Sequence, residues 1–140
     1  MRPALAGLAE CHARLGNYDL ARGYARQGLE LGPEAGDPTM AALAWSDLGL
    51  VHSRAGEHRH AFTCYQQALA LAHGWKNPLA RRWLATILAG FGDARQSAGD
   101  LPGAARAWQQ ALQIFHDLGM PENPMIRARL EQAALPRQQR

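Results

Sequence analysis

Lysine is almost missing from this chain: Lys76 stands alone against fourteen arginines, a bias that GC-rich genomes produce. Lys76 follows Trp75, so no GxxxxGK(S/T) phosphate loop can be built around it. Cysteine is nearly as scarce. Cys11 and Cys64 stand far apart with no CxxC, which excludes a disulfide framework and a cysteine metal cluster. Each sits in a helical pattern, where a thiol packs as a small hydrophobe. The β-branched residues are few (Thr39, Val51, Thr63, Thr86, Ile87, Ile114, Ile126), which argues against a β-sheet. No apolar run approaches the length of about 18 residues that a membrane helix needs. The N-terminus has no charged stretch followed by an apolar core, so no signal peptide is read there and the cytoplasm is the expected location.

What is present points to helices. The 140 residues are 47% hydrophobic and 19% charged, the balance of a folded domain rather than a disordered one. Ala, Leu, Gln, Glu and Arg dominate, and all are strong helix formers, so the expected fold class is all-α. The formal charge is +3, but arginine and acidic residues alternate along most of the chain. Only Arg127, Arg129, Arg137 and Arg140 gather basic charge locally. A nucleic-acid binder collects its charge on one face or stripe, so a basic nucleic-acid-associated helical module is kept only as the alternative.

Three segments of the chain align with one another. The first carries Leu8, Ala9, His12, Gly16, Tyr18, Ala21, Ala25 and Gly28-Leu29. The second carries Trp45, Leu48-Gly49, His52, Gly56, Ala61, Tyr65 and Ala68-Leu69. The third carries Leu88, Phe91-Gly92, Arg95, Gly99, Leu101, Ala104, Trp108 and Ala111-Leu112. Gly49 and Gly92 fall inside first helices, where glycine costs about 1 kcal/mol against alanine, so a paired helix is expected to approach closely there. Gly16, Gly56 and Gly99 stand where first helices end and a positive φ is needed. Ala21, Ala61 and Ala104 are the small residues expected to face those helix ends across the hairpin, and Tyr65 and Trp108 are the large knobs of second helices.

These residues resemble the tetratricopeptide repeat (TPR) pattern W-x2-L-G-x2-Y, a turn glycine, then A-x3-F-x2-A. Trp45, Leu48, Gly49, Gly56, Ala61, Tyr65 and Ala68 fall on it, with His52 in the tyrosine place. The turn glycines lie 40 and then 43 residues apart, similar to the longer variant of roughly 42 residues rather than the standard 34. The additional residues fall at Gly36-Asp37-Pro38, Lys76-Asn77-Pro78 and Glu122-Asn123-Pro124, each offering an Asp or Asn cap followed by proline at the first helical position.

The resemblance implies a right-handed superhelical array of antiparallel helix hairpins with about seven helices, over 3–15, 18–31, 38–55, 58–74, 78–98, 101–118 and 124–134. One domain is expected over 1–135, with repeats at about 2–35, 38–75 and 78–119, a capping helix at 124–134 and a frayed tail at 136–140. The first unit starts almost at Met1, which reads as the tail of a longer protein. The run from Trp108 to Pro121, W-x2-A-L-x-I-F-x2-L-G-x-P, followed by Arg127-Ala128-Arg129-Leu130, is similar to the C-terminal TPR region of actinobacterial SARP-type and large ATP-binding transcription regulators. Nothing in the chain resembles their DNA-binding or nucleotide-binding domains, so those activities do not carry over.

No HExxH or GxSxG appears, and no catalytic function or cofactor is expected. His58 and His60, two apart, point to different faces of a helix and read as solvated turn residues rather than metal ligands. His12 and His52 read as spacers beside a groove. What the resemblance implies is a protein-binding scaffold whose first helices line a concave groove. Carried over position by position, the groove residues are Glu10, Arg14, Ser46, Asp47, Leu50, Ser53, Arg54, Asp93 and Gln96. The carboxylate clamp of chaperone-binding relatives does not carry over: its places hold Ala6, Glu10, Asp47, Thr86 and Gly90, with two acids and no cation. Arg14 and Arg54 hold equivalent places in adjacent units and could grip a short acidic segment, with Leu50 as an apolar anchor site. The expected partner is therefore a protein or an acidic peptide.

Overall fold

The computed structural model describes residues 11–12, 15–35, 38–121 and 124–134. Six α-helices run through them: α1 (Tyr18–Ala35), α2 (Pro38–Arg54), α3 (His58–Ala72), α4 (Pro78–Ser97), α5 (Leu101–Asp117) and α6 (Pro124–Ala134). There is no strand among the described residues, and the all-α expectation holds. Of the first expected helix, 3–15, Cys11 and His12 are helical and Leu15 already lies in the turn; residues 3–10 and 13–14 and the tail at 136–140 lie outside the described residues. The chain divides into two compact units, Met1–Gly74 and Trp75–Arg140, so the boundary falls just before the Lys76-Asn77-Pro78 junction.

Helix ends differ from the sequence expectation by a few residues, for local reasons. α3 stops at Ala72 rather than 74 because His73 turns to extended backbone and Gly74 takes φ +84°. α1 continues to Ala35, four residues past the expected end at 31. α4 starts as expected: Pro78 is the first helical residue and the Leu79 N–H donates to Asn77 Oδ1 at 2.9 Å.

In the first unit α2 packs against both α1 and α3. Ala21 and Val51 are buried together with Tyr18 and Leu50 beside them, and Ala25, Leu48 and Cys64 form a second cluster lined by Tyr24, Leu29 and Trp45. The turn between α2 and α3 is closed by Gly56 at φ +80°. The Glu57 N–H donates to the His52 carbonyl at 2.8 Å and the Gly56 N–H to the Ser53 carbonyl at 3.1 Å. This nested pair is the Schellman arrangement, which satisfies carbonyls that the helix end leaves bare. Gly49 is required by packing: a methyl group there would lie 2.7 Å from Cδ2 and Cε2 of the buried Tyr65.

The second unit repeats the design. Gly99 turns at φ +87°, with Asp100 N–H to Arg95 O at 2.8 Å and Gly99 N–H to Gln96 O at 2.9 Å. Trp108 on α5 takes the place of Tyr65, and a methyl group on Gly92 of α4 would collide with its indole. Trp108 is 0% exposed, enclosed by Ala104 and by Ile126 of α6, with Leu130 and Ala133 packed behind. The expectation that Trp108 lies between the third hairpin and its covering helix holds.

Candidate protein-binding surface

The first-helix residues named from the sequence fall in separate places. Ser46, Asp47, Leu50, Ser53 and Arg54 are on α2 in the first unit; Asp93 and Gln96 are on α4 in the second. Glu10 and Arg14 lie outside the described residues. Ser46, Leu50 and Ser53 follow the i, i+4, i+7 spacing that draws one line along a helix, and all three are half-buried. Arg54 continues the line and is exposed, while its carbonyl accepts from the Tyr18 hydroxyl at 3.4 Å. Asp47 leaves that line: it is only 8% exposed, one step round the helix on the inward side.

Asp93 is taken up within its own unit. Its Oδ1 accepts from Trp108 Nε1 at 3.2 Å, and Arg129 Nη1 on α6 donates to both carboxylate oxygens, at 2.8 and 2.9 Å. The carboxylate therefore ties the first helix, the buried knob of the second and the covering helix together. Gln96 is exposed beside the turn.

A second constellation was not drawn from the sequence. In all three repeats the residue four positions before the turn glycine bonds to the residue that follows that glycine. The Asn17 amide bonds to His12 Nδ1 at 3.3 Å, His52 Nδ1 donates to Glu57 Oε1 at 3.3 Å, and Arg95 Nη1 donates to Asp100 Oδ2 at 2.6 Å. The backbones of the same residues make the long Schellman bond, so main chain and side chain close the turn together. His12 also stacks on Tyr24, His52 on His60, and Arg95 lies 4.4 Å above the Phe91 ring. The two histidines thus hold turns. The repeat register contained the signal, since His12, His52 and Arg95 align and a polar residue follows each five positions later.

Asp100 is the most polarised of these groups. Its Oδ1 caps α5 by accepting from the Gly103 N–H at 3.0 Å. That bond, then the bond from Arg95, and the nearby charges of Arg95 and Arg106 hold its carboxyl below the ordinary value of 3.8. A carboxylate held down in the folded state contributes stability above its unfolded pKa and loses it as pH falls through the folded value. Acidification from about pH 5 to about pH 2 should therefore lower the melting temperature of the wild type more steeply than that of Asp100→Asn. Parallel melting curves for the two proteins would remove this role.

Burial pushes the Cys64 thiol up, so it is a packing residue and not a nucleophile. Among the described residues no group of three or more His, Cys, Asp or Glu is placed to hold a metal, and no helix is long and apolar enough to cross a membrane.

Paired antiparallel helices, a turn glycine at positive φ, and a glycine of the first helix lying under an aromatic knob of the second recur in both units. A tetratricopeptide repeat family model matches residues 2–73. The chain belongs to the tetratricopeptide repeat family. Comparison with curated proteins returns no match. In TPR terms, α1 is a second helix, α2 with α3 and α4 with α5 are complete hairpins, and α6 stands in the place of a further first helix. TPR units generally mediate protein–protein interaction and are typically non-catalytic.

Proposed function

We propose that this chain is a protein-binding module whose first-helix face takes a short acidic segment, or a neighbouring domain of the same regulator. The observation that carries the reading is the line Ser46, Leu50, Ser53 and Arg54 on α2. It offers two small hydroxyl side chains, an apolar seat and a guanidinium at its end. Small residues let a peptide backbone approach, and the planar fork of arginine donates in pairs to a carboxylate.

The arginines elsewhere support a protein partner over a nucleic acid. Arg22 bonds Glu57 at 3.5 Å, Arg95 bonds Asp100 at 2.6 Å and Arg129 bonds Asp93 at 2.8 Å. A guanidinium already matched to a carboxylate adds little to a phosphate-binding stripe. The C-terminal run from Trp108 to Leu130 supports a place in the regulatory tail of a transcription regulator of the actinobacterial type.

The test is selection from a displayed peptide library against the whole chain, followed by titration of the enriched peptides. Enrichment of acidic sequences is expected. Ser46→Arg/Ser53→Arg, which fills the line with bulk while leaving the core untouched, should weaken them about tenfold or more. Arg54→Ala alone should have a modest effect, because one exposed charge contributes about 1 kcal/mol or less. Enriched peptides that bind both variants as tightly as the wild type would place recognition elsewhere.

A further inference from the structure

We propose that the turn between α2 and α3 is an acid-responsive latch: when His52 and His60 both take up protons, it opens and loosens the end of α2. Half of the chain's six histidines, His52, His58 and His60, gather at this turn. Its acid is Glu57. His52 Nδ1 donates to Glu57 Oε1 at 3.3 Å, and Arg22 Nη2 of α1 donates to the same oxygen at 3.5 Å. The His52 ring stacks on His60, with centroids 5.3 Å apart and planes inclined by 27°.

Neutral rings suit this arrangement, because they stack as aromatic groups do. Acidification into the range where histidine gains its charge alters each contact. A proton on His52 is matched by Glu57, but that carboxylate is already shared with Arg22. A proton on His60 as well sets two like charges face to face, and among the described residues His60 is bonded to no acid. His58 adds to the cost: an imidazolium donates from both nitrogens, and its Nδ1 is buried without an acceptor. The remaining charges at the turn do not offset this. Asp19 of α1 pairs with Arg22 at 3.6 Å, while Arg54 of α2 and Arg59 of α3 add positive charge. The closed turn therefore disfavours the later protons, and closure weakens as pH falls.

The repeat supplies the comparison. At the place of His60 the first repeat carries Leu20 and the third Gly103, so neither turn sets a second imidazole against the first. At the place of His52 the third carries Arg95, which bonds Asp100 at 2.6 Å and lies over the Phe91 ring. A guanidinium keeps its charge throughout, and the Asp100 carboxyl is held below its ordinary value. That pair is indifferent to mild acid, although the same two backbone bonds close both turns. The latch adjoins Ser53 and Arg54, the end of the α2 line. Weaker binding along that line in acid rests on the function proposed above; the latch itself does not.

Solvent exchange of single amides, followed by NMR in the isotope-labelled full chain, tests this at about pH 7.5 and about pH 5.5. Each rate is taken relative to its intrinsic value at that pH. The Gly56 and Glu57 N–H groups, which donate to the Ser53 and His52 carbonyls, should lose protection about tenfold at the lower pH. Those of Gly99 and Asp100 should keep theirs. His52→Phe, which leaves an uncharged ring in the stack, and His60→Leu, the residue of the first repeat, should each abolish the response. The comparison of the two turns within the wild type stands whether or not a variant folds. Protection at Gly56 and Glu57 that holds or rises in acid overturns the inference, since the bond between His52 and Glu57 then dominates. Equal loss at Gly99 and Asp100 overturns it too, as does a full response in either folded variant.

Discussion

Trp108→Ala is expected to cost the second unit about 3–5 kcal/mol, at the upper end of large core truncations. The indole is 0% exposed and spans three helices, touching Gly92 of α4, Ala104 of its own helix and Ile126 of α6. On its α4 side nothing can lean into the space it leaves. Gly92 has no side chain to lean inward, and Ala104 and Ala111 are already the smallest residues that carry a Cβ. A void between small residues keeps its volume, and the penalty rises with the volume that remains. The indole N–H bond to Asp93 is lost as well, although Arg129 still holds that carboxylate. Trp108→Phe, which keeps a ring over Gly92 and gives up only the N–H and part of the volume, should lose clearly less than the alanine variant. Urea unfolding followed by circular dichroism measures both. A loss below about 1 kcal/mol for the alanine variant, with an unchanged slope, would mean that the knob does not organise the unit.

The same contact explains how much of the fold could be read from sequence. A glycine inside a helix is a local defect unless a neighbouring helix needs the space, so Gly49 and Gly92 each signal a close paired helix, and the structure supplies the aromatic that fills the space, sixteen residues later in both cases. Both pairings, Gly49 with Tyr65 and Gly92 with Trp108, are present. The turn glycines were legible for an equally local reason, since a positive φ at a helix end selects glycine. The binding surface was less legible. Family positions place a residue on a helix face, but its burial depends on what packs beside it. Asp47 and Asp93 both look like groove acids in the alignment. One is buried, and the other is drawn into bonds with Trp108 and with Arg129, thirty-six residues away in sequence. No periodicity along α4 announces a partner on α6. The turn pairs are hidden for a different reason: a histidine in a tyrosine position reads as a spacer beside the groove, and only the fold brings its ring to the residue beyond the turn glycine.

Removing residues 121–140 is expected to destabilise the second unit while leaving the first nearly as it was. α6 contributes Ile126, buried to 4% exposure, with Leu130 and Ala133 packed beside it. Burial of an isoleucine side chain stabilises by about 1.5–3 kcal/mol, and the half-buried leucine adds to that. The ion pair of Arg129 with Asp93 is one-third exposed on both sides, so it contributes about 1 kcal/mol at most. Loss of α6 also uncovers one side of Trp108 and the flank formed by Leu112 and Phe115, which turns a covered core into an apolar surface. In repeat proteins each element contacts its neighbours, so the damage should stay local. Hydrogen exchange by mass spectrometry separates the possibilities. Amides of α4 and α5 should exchange at least about tenfold faster in the truncated chain, whereas those of α2 and α3 keep their protection. Binding of a dye that reports exposed apolar surface should rise in parallel. Unchanged protection in α4 and α5 would show that the hairpin closes its own core and that α6 does not support it. Loss of protection in α2 and α3 together with α4 and α5 would show that the chain unfolds as one cooperative body rather than unit by unit.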